Sequence, residues 1–93
     1  MSFIKISFDP AKRDWTLRER GLFFEEAELV FAGPLYDKED RRFDYGESRT
    51  VTFGYLRKRM VVIVWTQRGD TRHIISMRKA NEREVETYSP QIR

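Results

Sequence analysis

A chain of 93 residues, 40% apolar and 14% aromatic, can fill one small core and little more, so residues 1–93 read as a single domain. With no Cys and one His it has no disulfide staple and no thiolate metal site, and a catalytic zinc centre would lack ligands. The net charge of +3 is unevenly spread: residues 1–48 hold 8 basic and 11 acidic groups, residues 49–79 hold 8 and 1, and residues 80–93 hold 2 and 3.

The middle segment therefore carries the positive field, which suits a phosphate-binding surface or a solvated basic sheet face. MSFIKISFDP lacks the apolar run of a secretory signal and reaches Pro early. The longest apolar run, Met60 to Trp65, falls far short of the roughly 18 residues of a membrane span. A soluble, cytoplasmic protein is expected.

In chain order, residues 3 to 8 alternate as Phe, Ile, Lys, Ile, Ser, Phe and predict a short strand. Asp9 suits an N-cap and Pro10 the first helical position, so a helix runs from there to about Arg20 and stops at Gly21. Its apolar stripe of Ala11, Trp15 and Leu22 is thin, with Trp15 read as core. FFEEAELVF, residues 23 to 31, predicts a second helix with Phe24, Ala27, Val30 and Phe31 on one face, ended by Gly33-Pro34. A short strand includes Leu35 and Tyr36, and residues 37 to 47 are polar and turn-rich.

RTVTFGYL, residues 49 to 56, alternates Val51, Phe53 and Tyr55 against Thr50, Thr52 and Gly54. Arg57-Lys58-Arg59 forms a hairpin loop. MVVIVWT, residues 60 to 66, is apolar on both faces and predicts a central strand. A turn at Gly69 leads to a strand from Thr71 to Met77, with Arg72, Ile74, Ser76 and Arg78 on one parity and His73, Ile75 and Met77 on the other. Asn81 and Glu84 have the spacing of a capping box for a last helix, with Val85, Tyr88 and Ile92 as its stripe. The order implies an α+β fold, mainly antiparallel, with two N-terminal helices and one C-terminal helix packed on one sheet face.

The chemistry narrows by elimination. No nucleotide-binding glycine loop is present, and adjacent Glu25 and Glu26 point apart on a helix. A Ser-His-Asp triad from Ser48 or Ser76 with His73 has nothing to assemble it. A basic sheet remains, and RNA cleavage can use one without a metal or other cofactor. The 2′-OH attacks the adjacent phosphate, a base takes its proton, an acid protonates the leaving 5′ oxygen, and cations hold the added negative charge. Arg78 and Lys79 at a strand end, with Arg72 and Arg49, offer those cations. Arg57, Lys58 and Arg59 extend the basic surface toward RNA. His73 titrates nearest neutrality, yet its parity with Ile75 and Met77 favours a core-edge position. Tyr88 and Trp15 read as packing before stacking platforms.

FDPAK (8–12), GLFFEEAELVF (21–31), YGESR (45–49) and HIISMRKA (73–80), in that order and spacing, resemble the BrnT family of bacterial toxins from about Phe3 to Tyr88. The resemblance implies a compact RelE-like domain and a type II toxin that cleaves RNA without a metal and stops translation. It also implies a BrnA-like ribbon-helix-helix antitoxin, with operator DNA bound only through that complex. Lys12, Glu47, Arg49, Arg78 and Lys79 match family motif positions. Arg20 stands where the motif has His, His73 stands where it has Arg, and Phe23 replaces a small polar helix cap. The expected roles are Arg78, Lys79 and Arg49 on the scissile phosphate, with Glu47, Lys12, Arg20 or His73 moving protons, unranked. The alternative is a catalytically silent basic module that binds nucleic acid or an acidic protein.

Overall fold

A strand that is apolar on both sides must be covered on both sides. The computed structural model describes residues 4–40 and 46–92 and places MVVIVWT in the middle of five strands. The elements run β1 (Lys5–Phe8), α1 (Pro10–Arg20), a 3-10 turn (Phe24–Glu26), α2 (Ala27–Ala32), β2 (Leu35–Asp40), β3 (Arg49–Leu56), β4 (Arg59–Arg68), β5 (Thr71–Lys79), α3 (Glu82–Tyr88) and a final 3-10 turn (Ser89–Gln91). The sheet order is β1-β5-β4-β3-β2, antiparallel except for the parallel β1–β5 pair. The α+β class and the antiparallel bias match expectation. The start of the first strand at Phe3 and part of the polar stretch, residues 41–45, lie outside the described residues.

One sheet face carries the main core. Phe24, Ala27, Val30 and Phe31 pack on Val61, Ile63, Trp65, Ile74 and Met77, with Ile4, Ile6 and Phe8 at the margin. Gly54 lets α2 approach β3, since a Cβ there would lie 2.6 Å from Val30 Cγ1. The expected second helix forms as a 3-10 turn feeding α2, and Phe23 supplies no side-chain cap. In α1, Thr16 is the buried residue, while Trp15 is 45% exposed with the Arg20 guanidinium 4.9 Å from its ring centroid. Trp15 is therefore not core.

The expectation that all three helices share one sheet face does not hold. Alternation sends Phe53 and Val62 to the face opposite α1 and α2, and that apolar surface needs its own cover. The capping box at Asn81 and Glu84 starts α3 there. Tyr88, Ala80 and Ile92 then close over Phe53, Met60 and Val62, with the Tyr88 ring stacked 3.9 Å from that of Phe53. Among the described residues, α3 covers one end of this face and leaves the rest open.

β5 contains an irregularity that moves side chains between faces. Trp65 pairs with Ile74 but its neighbour Val64 pairs with Ser76, so Ile75 is an extra residue, a bulge. Without it, Ile74 and Met77 would point to opposite sides; with it, both enter the main core. Arg72 consequently lies on the core side, while His73, Ser76 and Arg78 lie on the open side. The single alternation expected from Thr71 to Met77 is thus reversed halfway.

The β3–β4 connection is also tighter than expected. Leu56 pairs with Arg59, leaving a two-residue loop in which Arg57 and Lys58 have φ of 49° and 71°. Two positive values in a two-residue hairpin are the signature of a type I′ turn, usually built from Asn and Gly.

Candidate functional site: an open basic sheet face

The open face is assembled by register. His73 on β5 sits beside Thr66 on β4. Arg49, one step before the Thr50–Trp65 pair, comes level with Thr66 from the β3 side and opposite Asp40 of β2. Arg78 pairs with Val62, four β4 positions from Thr66. At ordinary strand spacings, His73 and Arg49 stand about 10 Å apart across two strand gaps, and His73 and Arg78 about 13 Å apart along the strand. Val64 and Ser76 form the floor between them.

Ser48, just before β3, lies at the His73 end. Thr66 Oγ1 donates to the Ser48 carbonyl oxygen at 2.7 Å. Glu47 then approaches Arg68, with Arg68 Nη2 to Glu47 Oε1 at 3.7 Å. On the other side, β1 is held parallel to β5 with Ser7 opposite His73, and Ser7 Oγ lies 2.8 Å from His73 Nδ1. Burial lowers the His73 pKa below its ordinary value; Arg68 and Lys12 act in the same direction, while Glu47 and Asp9 oppose them. The imidazole is therefore neutral at neutral pH and able to accept a proton.

The Arg78 end is held differently. Arg78 donates from both terminal nitrogens to both oxygens of Glu84, at 2.7 and 2.8 Å. Glu84 also accepts from the Asn81 backbone N–H at 3.0 Å, so one carboxylate caps α3 and orients the guanidinium. Its pKa lies below the usual carboxylate value, first because of the Arg78 hydrogen bonds and against the effect of burial. A cleft of about 260 Å³ opens beside this pair, lined by Lys38, Asp40, Val51, Arg78, Glu84 and Tyr88.

The sequence candidates separate into groups. Arg49, Glu47, His73 and Arg78 gather at the open face, and Lys12 in the first turn of α1 is near enough to act on the charge of His73. Arg72 lies on the opposite face, its guanidinium 4.4 Å from the Trp65 ring centroid and 4.6 Å from that of Phe31. Lys79 pairs with Val61 and follows it to the same opposite side. Arg20 donates to the Met77 carbonyl oxygen at 3.1 Å and satisfies the β5 edge beyond the short β1. Arg57 is salt-bridged to Glu26, and it forms with Lys58 and Arg59 the far end of the β3–β4 hairpin. The bulge at Ile75 is the physical reason that Arg72 and Arg78 do not share a face.

Ser7, Arg68 and Glu84 belong to the site and were not singled out for it in the sequence. Ser7 is a lone polar residue between Ile6 and Phe8, a visible signal, but only strand pairing shows its partner. Among the described residues no group of three or more His, Asp or Glu side chains is clustered for a metal ion. No helix among them is long and apolar enough to cross a membrane.

A family model described as "Ribonuclease toxin, BrnT, of type II toxin-antitoxin system" matches residues 8–84. A comparison with curated proteins finds no match.

Proposed function

Because the chain belongs to the BrnT family of type II toxin–antitoxin ribonuclease toxins, we propose that it cleaves RNA on the open sheet face by metal-independent transesterification. The observation that carries this reading is the gathering of Arg49, His73, Glu47 and Arg78 on one accessible face. Arg78 and Arg49 bind and neutralise the phosphate as the 2′ oxygen attacks. A base at the other end of the face, from among Glu47, Lys12 and His73, takes the 2′ proton. The outcome is inhibition of translation in the cytoplasm.

The partner in this proposal is a ribbon-helix-helix antitoxin that covers the basic face, with operator DNA reached only through the complex. Expression of the chain alone tests the reading. Growth arrest with RNA decay that persists in EDTA, and is relieved by Arg78→Ala in a folded protein, supports it. Decay that EDTA abolishes removes the metal-independent mechanism. A second reading, a silent binding module, draws on the bidentate engagement of Arg78 by Glu84, which occupies two donors a phosphate would need. RNA binding with no decay selects that reading instead.

A further inference from the structure

We infer that His73 is the base of the reaction, accepting the 2′ proton on Nε2, and that Ser7 is the positioning residue that holds its Nδ1–H tautomer. This inference rests on the proposed RNA cleavage and specifies its proton transfer.

Geometry selects His73 from the three candidates. Ser7 and His73 are register partners on the parallel β1–β5 pair, so backbone pairing fixes the approach of their side chains. The 2.8 Å contact is between Ser7 Oγ and Nδ1. An imidazole carries its two nitrogens on different sides of the ring, so tying Nδ1 to β1 turns Nε2 away from β1 and out over the open face. A neutral imidazole has one N–H; when Nδ1 donates to Ser7 Oγ, the lone pair is on Nε2.

The competing groups are less suited. Glu47 sits before β3 rather than on a strand of the face, and its Oε1 is turned toward Arg68 Nη2 at 3.7 Å. Lys12 is exposed on the first turn of α1, off the sheet, with no strand pairing to fix its approach to the face. Among the described residues, the charged groups that act on His73 are Arg68 on β4, Glu47 just before β3, and Lys12 and Asp9 at the start of α1, two of each sign.

The step balances. The O2′–H proton passes to Nε2, the O2′–P bond forms, and the P–O5′ bond breaks as the 5′ oxygen takes a proton from water. The products are a 2′,3′-cyclic phosphate and a free 5′ hydroxyl, and the imidazolium returns its proton to solvent.

The single His makes the test direct, because a ¹⁵N-labelled chain shows one imidazole. Its two nitrogen shifts, followed with pH in the purified full-length chain, report tautomer and pKa together. The expected result is the Nδ1–H tautomer at neutral pH, with Ser7→Ala shifting the ring toward Nε2–H and Ser7→Thr retaining the original form. With an RNA oligonucleotide, Ser7→Ala should lower kcat about tenfold with KM within twofold. His73→Gln should lower kcat by about a hundredfold or more and remove the acid limb of the pH profile. A cleaving wild-type chain with the Nε2–H tautomer, or an acid limb that survives in His73→Gln, overturns the inference while RNA cleavage stands. A wild-type chain that cleaves no RNA instead overturns the functional reading, and the base role with it.

Discussion

Replacing Arg72 by Met tests the bulge and, through it, the identity of the functional face. Methionine keeps an apolar stem of similar reach and removes only the guanidinium. In the folded chain that guanidinium sits between two rings, 4.4 Å from the Trp65 centroid and 4.6 Å from that of Phe31. Each such contact contributes about 0.5–1 kcal/mol near the surface. The two together give about 1–2 kcal/mol, of which sulfur–aromatic contacts of the Met recover about 0.5 kcal/mol. The net loss is about 1 kcal/mol, or about 4–8 °C in Tm for a domain of this size. Because Arg72 points away from the open face, kcat should stay within about threefold of wild type. Arg78→Met should differ on the activity side, lowering cleavage by about a hundredfold as expected for loss of a charge-stabilising donor, and it should also lower Tm because Glu84 loses its bidentate partner. Thermal unfolding and oligonucleotide cleavage read both variants. If Arg72→Met abolishes cleavage at unchanged Tm, its side chain reaches the substrate and the face assignment fails.

Gly54→Ala places a methyl group 2.6 Å from Val30 Cγ1, so α2 must shift and urea unfolding should show a loss of about 1–3 kcal/mol. Replacing Arg57-Lys58 by Asn-Gly relieves two positive-φ residues and should raise stability by about 1–2 kcal/mol, less the surface ion pair of Arg57 with Glu26. Glu84 has a depressed pKa, so its contribution to stability is fully present above the unfolded carboxylate value of about 4.3 and is lost as pH falls through the lower folded value. Glu84→Gln should flatten that part of the stability–pH curve. His73 also has a lowered pKa, so the unfolded chain takes up the proton first; stability should rise with pH up to about 6.5 and then level off, and His73→Gln should remove the slope.

The helices, the strands and the central place of MVVIVWT were legible because each rests on local pattern: a cap and a Pro at Asp9-Pro10, a capping box at Asn81 and Glu84, and two-sided apolarity in β4. The site was legible only as a set of residue types. Its geometry depends on Ile75, where Ile74-Ile75 offers two adjacent side chains of the same kind and hydropathy alone does not say which is skipped by the pairing. Counting straight through puts Arg72 beside Arg78 and His73 beside Met77; counting through the bulge puts His73 with Arg78 and sends Arg72 to the core side. The pairing is decided by the rest of the sheet, because Met77 fills the main core with Ile74 only if one residue is passed over. The same non-local origin applies to Ser7, whose link to His73 spans 66 positions and exists only because β1 adds in parallel at the β5 edge. Packing of apolar residues thus fixes which polar residues meet, and a site built on a sheet face inherits its register from a core on the other side. A Val at Ile75 that keeps the bulge should leave cleavage intact. Deleting Ile75 should turn either His73 or Arg78 away from the open face, depending on which half of β5 keeps its pairing, and cleavage should be lost in either case.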